Sequence, residues 1–190
     1  MSNKAYKGTD FERLISKKLS LWFCEDKRDD LFWRTSQSGG RATQRLKSGV
    51  STINSCGDIA ALSEEGFELT KHILIELKRG YSQAINPLDL IDKKGCSSLI
   101  LNWYLKAKME AQNNLCKYVW LIFKRNRGEI MLMVEYHFMQ DLLNVLDDVH
   151  KELPYLYIRL DQKGFYLFVL ESFFAFFPYK IFITFLRSLN

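Results

Sequence analysis

The chain has 190 residues, of which 47% are hydrophobic and 26% charged, so it can form a packed domain and is not intrinsically disordered. Its formal net charge of +5 weakly favours an anionic partner. The polar first residues lack the apolar stretch of a secretory signal. We therefore expect one cytoplasmic domain over residues 1–190, with a core over about 9–124 and further strands and helices over 125–190.

The first predicted element is a helix over residues 10–22, because apolar residues recur there at helical spacing. Thr9 is its expected N-cap, and Glu12 is the expected capping-box partner three residues further on. A short apolar and aromatic strand over residues 31–36 follows, and then a basic loop rich in serine and glycine.

Two strands, over residues 56–62 and 68–78, are predicted to form a hairpin. Side chains alternate between the two faces of a strand. Leu74, Glu76 and Lys78 should therefore share one face of the second strand, while the apolar residues between them share the other.

The rest of the chain is predicted to continue with helices and strands. In chain order these are a helix over residues 99–114, strands over 117–124 and 129–136, a helix over 138–148, strands over 155–160 and 165–170, and a last helix from Tyr179. This order predicts an α/β fold in which helices flank a mixed central β-sheet with antiparallel edges.

The C-terminal segment is strongly apolar and rich in phenylalanine, but Glu171, Pro178, Lys180 and Arg187 interrupt it. A membrane-spanning helix needs about 20 consecutive apolar residues. We expect a core strand followed by an amphipathic helix, and no membrane partner. A dimer interface is the main alternative for this segment.

Two carboxylates and one ammonium group are candidates for a catalytic site. Asp58 stands at the start of one predicted strand, and Glu76 and Lys78 stand at the end of the next, so adjacent strands can bring them together. Mg²⁺ binds oxygen ligands and typically uses one or two carboxylates. Asp58, Glu76 and the backbone carbonyl of Leu77 are therefore the predicted metal ligands, and Lys78 is predicted to orient the attacking water.

The segments GDIAAL and ILIELKRG resemble the PD-(D/E)XK nuclease superfamily, in which an acidic residue on one strand precedes an acid-x-Lys motif on the next. The resemblance implies a restriction-endonuclease-like fold with core order αβββαβ. It also implies phosphodiester hydrolysis that leaves a 5′-phosphate and depends on Mg²⁺, with Mn²⁺ as a substitute. Asp58 and Glu76 would be the metal ligands, and Lys78 the base that positions the water. Glu12 resembles a further catalytic acid of many members, and Gly57 stands where the pattern has proline.

The predicted loop after the first strand is a candidate nucleic-acid contact, because residues 31–57 contain no Asp or Glu. Glycines allow the backbone to approach a phosphate, and Arg and Ser side chains donate hydrogen bonds to it. The segment also resembles the loop before the catalytic Asp in phage and bacterial members of the superfamily. An ordinary flexible basic loop is the alternative. The predicted nucleic-acid-binding residues are Arg34, Ser36, Ser38, Gly39, Gly40, Arg41 and Arg45.

The helix over residues 99–114 resembles the helix of resolvase-like members in which a polar side chain supports the active site, and no particular residue can be matched to that role. The residues that carry the resemblance are Trp103, Lys106, Lys108, Glu110 and Gln112. We expect Lys106 or Gln112 near the site, with a solvated helical face as the alternative. Glu110 lies on the apolar side of the helix together with Trp103.

Other chemistries have little support in the sequence. The three histidines are isolated, and the four cysteines form no Cys-x-x-Cys pair, so we expect reduced thiols and no zinc site. The chain also lacks a Walker A motif and a Gly-x-Gly-x-x-Gly motif, and no nucleotide cofactor is expected.

These observations predict a Mg²⁺-dependent DNA endonuclease. It would be a structure-selective, resolvase-like enzyme or a weakly specific defence or restriction nuclease, and it would act as a homodimer if it cuts both strands. One alternative is a non-catalytic nucleic-acid-binding or assembly module that keeps the nuclease fold. Another is a subunit of a larger complex that docks through the phenylalanine-rich end.

Overall fold

The structure is a computed structural model that describes residues 4–35, 56–80, 85–92, 98–145, 153–160 and 163–190. Within these ranges the chain forms seven helices and seven strands. In chain order they are α1 (Lys4–Phe23), β1 (Phe32–Arg34), β2 (Ile59–Ala61), α2 (Glu64–Thr70), β3 (Ile73–Arg79), α3 (Asp89–Asp92), α4 (Leu99–Asn113), β4 (Tyr118–Lys124), β5 (Ile130–Glu135), α5 (Tyr136–Val145), β6 (Leu156–Leu160), β7 (Lys163–Val169), α6 (Leu170–Phe176) and α7 (Tyr179–Ser188).

Five strands form the central sheet in the order β3-β4-β5-β7-β6. Strands β3 and β4 are parallel, and the other neighbours are antiparallel. A parallel pair needs a long crossover connection, and α4 lies in the crossover between β3 and β4. Strands β1 and β2 pair in a separate two-stranded sheet. The predicted mixed α/β fold is confirmed, whereas the predicted antiparallel edges hold only at β6, because the other edge strand, β3, is parallel to its neighbour.

Two apolar clusters lie on opposite faces of the central sheet. Ile73 and Ile75 of β3 belong to the cluster that also contains the buried residues of α1, α5, α6 and α7. Leu74 belongs to the other cluster, with Tyr104 and Ala107 of α4. Because β3 contributes to both clusters, its position is determined from both faces of the sheet.

The phenylalanine-rich C-terminal segment is part of the core. Phe173, Phe177 and Phe182 are fully buried, and the Trp22 ring of α1 stacks on Phe174 with 4.6 Å between ring centroids. The predicted core packing is confirmed, although α6 precedes α7 where one helix was expected. Among the residues that the structure describes, no helix has the length and apolar character to span a membrane.

The start of α1 differs from the prediction. The helix already includes Lys4, so Thr9 lies inside it and is not an N-cap. Glu12 is consequently not the partner of a capping box. Gly8 is the residue that would favour an end to the helix here, but a single helical glycine costs only about 1 kcal/mol and is tolerated.

The predicted hairpin over residues 56–62 and 68–78 is wrong. Helix α2 separates the two strands, β2 pairs with β1, and β3 begins only at Ile73. Ser63 precedes the helix, and two glutamates in its first turn interact favourably with the positive end of the helix dipole. Gly66 suggested a turn, but it serves close packing, because a Cβ atom there would lie 3.0 Å from the Phe32 ring.

Candidate active site

Asp58 lies immediately before β2 and against β3. Its backbone N–H donates a hydrogen bond to the carbonyl of Ile75 (2.8 Å), and its carboxylate Oδ2 accepts one from the N–H of Leu77 (2.7 Å). Its carbonyl accepts a third bond from the N–H of Thr35 (2.9 Å). Although β2 and β3 form no hairpin, these bonds bring Asp58 to the end of β3, where the sequence pattern required it.

The residue before Asp58 explains the departure from the proline pattern. Gly57 has a φ of +70°, and a Cβ atom there would lie 2.6 Å from the carbonyl oxygen of Ile75. Its N–H donates to Oε1 of Glu110 (2.9 Å), and its carbonyl accepts from Oγ1 of Thr35 (2.9 Å). Proline has no N–H and a φ fixed near −65°, so this backbone geometry excludes it.

Glu76 and Lys78 lie on the face of β3 opposite to Ile75 and Leu77, as strand alternation predicts. Lys78 Nζ donates a hydrogen bond to Oε1 of Glu76. The side chains are 17% exposed for Glu76 and 25% exposed for Lys78, so solvent reaches both only in part. The ion pair is therefore partly buried at the end of β3.

Burial makes the two acidic side chains weaker acids than usual. Burial raises the pKa of Asp58 to about 6, against the opposing effect of the positive charge on Lys78. Burial and the neighbouring charge of Asp58 raise the pKa of Glu76 to about 7. Glu110 acts in the same direction on both carboxyl groups. The nearby positive charge of Lys78 therefore does not offset the effect of burial on the pKa of either carboxyl group.

The donor set fits Mg²⁺ or Mn²⁺. In the part of the chain that the structure describes, no group of three or more His, Cys, Asp or Glu side chains is arranged to hold a metal ion. Mg²⁺ typically needs only one or two carboxylates, and Asp58 and Glu76 are such a pair.

Glu12 and Arg34 form an ion pair beside Asp58. Arg34 Nη1 lies 3.5 Å from Oε2 of Glu12. The negative charge of Glu12 contributes to the raised pKa of Asp58, which places Glu12 near that carboxylate. Glu12, expected as a fourth catalytic acid, and Arg34, expected to bind nucleic acid, are therefore partners of each other at the edge of the site.

The remaining predicted nucleic-acid-binding residues lie outside the described residues. They are Ser36, Ser38, Gly39, Gly40, Arg41 and Arg45.

Helix α4 contributes one side chain that the sequence reasoning did not assign to the site. Lys106 and Gln112, one of which was expected near the site, are exposed on the helix. Glu110 reaches the Asp58 segment through Gly57 instead. The available signal was a charged residue on the apolar side of an amphipathic helix.

Two of the predicted thiols lie next to this segment. Cys56 and Cys116 are buried, and their sulfur atoms are 3.5 Å apart. Cys24, Cys56 and Cys116 form no disulfide in the structure, whereas Cys96 lies outside the described residues.

A mixed sheet flanked by helices, with an acid beside an acid-x-Lys strand end, defines a protein of the restriction-endonuclease-like class. The family model described as "Phage putative PDDEXK endonuclease" matches residues 3–181. The chain therefore belongs to this family of the PD-(D/E)XK superfamily. Membership supports nuclease activity and a nucleic-acid substrate. No curated protein and no solved structure is significantly similar to the chain.

Proposed function

We propose that the chain is a metal-dependent DNA endonuclease whose active site consists of Asp58, Glu76 and Lys78. The observation that carries the proposal is the hydrogen bond from the N–H of Leu77 to the Asp58 carboxylate. This bond links the isolated acid to the strand that carries the acid-x-Lys motif. Asp58, Glu76 and Lys78, which are separated by up to 20 positions in sequence, thereby form one cluster of charged side chains at the end of β3.

Asp58, Glu76 and the carbonyl of Leu77 would hold Mg²⁺, and Mn²⁺ would substitute for it. When bound, such an ion supplies Lewis-acid stabilisation of phosphate charge and lowers the pKa of bound water. Such an ion would favour the ionised form of both carboxyl groups, whose pKa values burial raises in its absence.

Lys78 would orient the attacking water and favour its deprotonated form. Its ammonium group has three hydrogen-bond donors and already bonds to Glu76. With 25% of the side chain exposed, the ammonium group can reach both the carboxylate and a phosphate of the substrate. Lysine acts here as a compact positive charge next to the scissile bond.

The Glu12–Arg34 pair would form the edge of the site that receives the substrate. An ion pair at 3.5 Å with 31% of the arginine side chain exposed leaves guanidinium donors for a DNA phosphate. Glu12 would fix the orientation of Arg34 and repel misplaced phosphates. Ser36, Ser38, Gly39, Gly40, Arg41 and Arg45 would extend this phosphate contact.

The test is cleavage of supercoiled plasmid and of branched DNA with Mg²⁺, with Mn²⁺, and with a chelator. Asp58→Ala and Lys78→Ala should each reduce the cleavage rate by about 100-fold or more, and Lys106→Ala on the exposed face of α4 is the matched lysine control. Preferential cleavage of the branched DNA would support the resolvase-like assignment, and equal cleavage the weakly specific one.

Two results would reject this function. Metal-dependent cleavage that survives both substitutions would place the catalytic site elsewhere. DNA binding without any cleavage by the wild-type chain would favour a non-catalytic module that keeps the nuclease fold. Sedimentation of the protein with and without DNA tests whether the proposed homodimer forms.

A further inference from the structure

Helix α4 presents an acidic side chain to the backbone of the Asp58 segment. Glu110 Oε1 accepts a hydrogen bond from the N–H of Gly57 at 2.9 Å. The buried residues Trp103, Ala107 and Ala111 hold the helix against the sheet. A packed helix, and not a mobile loop, therefore positions the Glu110 carboxylate.

Gly57 needs such a contact more than another residue would. Glycine has the largest backbone freedom of all residues, and Gly57 has the left-handed φ of +70°. Its two polar backbone groups are bonded to two different elements, the N–H to Glu110 and the carbonyl to the Thr35 hydroxyl. Both bonds restrict the peptide that leads directly into Asp58.

An acidic residue is an unfavourable choice at this position if packing were its only role. Glu110 adds a third negative charge close to Asp58 and Glu76, and like charges in a partly buried site repel one another. Lysine or glutamine on the same helix would avoid this repulsion. A carboxylate accepts a stronger hydrogen bond from a backbone N–H than a neutral group does, which accounts for its presence here.

We propose that Glu110 is a positioning residue of the nuclease site, which holds Asp58 in place through the N–H of Gly57. The inference rests on the proposed function, because it assigns Asp58 to metal binding. In the superfamily pattern a proline with fixed φ precedes the acid. In this chain the bond between Gly57 and Glu110 restricts the same backbone position.

The first test observes the Gly57 amide directly. The chain has a single Cys-Gly dipeptide, Cys56–Gly57, so labelling cysteine carbonyls with ¹³C and glycine amides with ¹⁵N gives one selected NMR signal. Hydrogen exchange of this amide should be about tenfold or more faster in Glu110→Ala than in the wild type. Glu110→Gln keeps an acceptor oxygen without the charge, so exchange of the Gly57 amide should be faster in this variant than in the wild type and slower than in Glu110→Ala. Glu129→Ala at an exposed site is the control.

The second test measures Mn²⁺ binding by calorimetry and cleavage kinetics on the same proteins. Glu110→Ala should weaken Mn²⁺ binding by about tenfold and lower kcat while the KM for DNA stays unchanged. Glu110→Gln should lie between the wild type and Glu110→Ala in both measurements. Helical content and thermal unfolding identify a variant that fails to fold. If Glu110→Ala fails to fold, faster exchange of the Gly57 amide in Glu110→Gln than in the wild type supports the positioning role, and equal exchange in the two proteins overturns it.

The outcomes separate this inference from the proposed function. Unprotected exchange of Gly57 in the wild type, or wild-type Mn²⁺ binding and cleavage by Glu110→Ala, would overturn the positioning role while wild-type cleavage upholds the nuclease. If the wild type binds Mn²⁺ through this site but cleaves no DNA, the nuclease proposal fails. A slower Gly57 exchange and tighter Mn²⁺ binding in the presence of Glu110 would then still establish the positioning role.

Discussion

The two faces of β3 serve different purposes. On one face Ile73, Ile75 and Leu77 are buried with the aromatic side chains of the C-terminal helices. On the other face Leu74 is followed by Glu76 and Lys78, whose charged side chains are partly buried. The apolar face of this short strand therefore stabilises the fold. The polar face carries partly buried charges that cost stability, and these charged residues are the ones proposed for catalysis.

The largest expected effect is on the apolar face. Ile75→Ala removes a fully buried side chain and should lower the free energy of unfolding by about 2–5 kcal/mol, measured by urea denaturation. Leu62→Ala at an exposed site should change it by less than about 0.5 kcal/mol. A change of less than about 1 kcal/mol for Ile75→Ala would contradict the assignment of this face to the core.

A change of opposite sign is expected on the polar face. The raised pKa of Glu76 means that the folded chain favours the protonated acid, so stability present below pH 4.5 is lost as the pH rises through about 7. Glu76→Gln should therefore stabilise the metal-free protein at pH 8 by on the order of 1–2 kcal/mol.

Thermal unfolding in the presence of a chelator measures this gain. The midpoint should rise by a few degrees at pH 8, and the difference from the wild type should fade as the pH falls from 7 towards 4.5. Glu129→Gln at an exposed site is the matched control. A lower midpoint for Glu76→Gln at pH 8 would show that the polar face is not under electrostatic strain.

The smallest expected effect on stability concerns the ion pair between Glu12 and Arg34 at the edge of the site. Arg34→Ala breaks a partly exposed ion pair with Glu12 and should change the free energy of unfolding by less than about 1 kcal/mol. If Arg34 contacts a phosphate, the slope of log binding constant against log salt should decrease by about one. An unchanged slope in DNA titrations at several salt concentrations would remove Arg34 from the interface.

Local sequence periodicity predicted what local geometry determines. The shared face of Glu76 and Lys78 follows from strand alternation alone, and the bounds of α4 follow from helical spacing. The mixed sheet followed from the order of the elements. The sequence also predicted that Asp58 lies beside β3. It does, but hydrogen bonds between Asp58 and β3 hold it there instead of the expected hairpin.

Features that depend on tertiary packing could not be predicted in the same way. Gly66 was interpreted as part of a turn, because its close contact with Phe32 cannot be seen in the sequence. The contact of Glu110 with Gly57 joins residues 53 positions apart, and that of Cys56 with Cys116 joins residues 60 apart. No periodicity links such positions, so only the packed sheet and α4 reveal them.

Cleavage by Glu76→Gln tests the central claim most directly, because this variant is expected to be more stable and yet inactive. We predict that its single-turnover cleavage of plasmid DNA with Mg²⁺ is at least about 100-fold slower than that of the wild type, while its unfolding midpoint at pH 8 is higher. Cleavage at the wild-type rate by this variant would contradict the assignment of Glu76, and with it the active site at the end of β3.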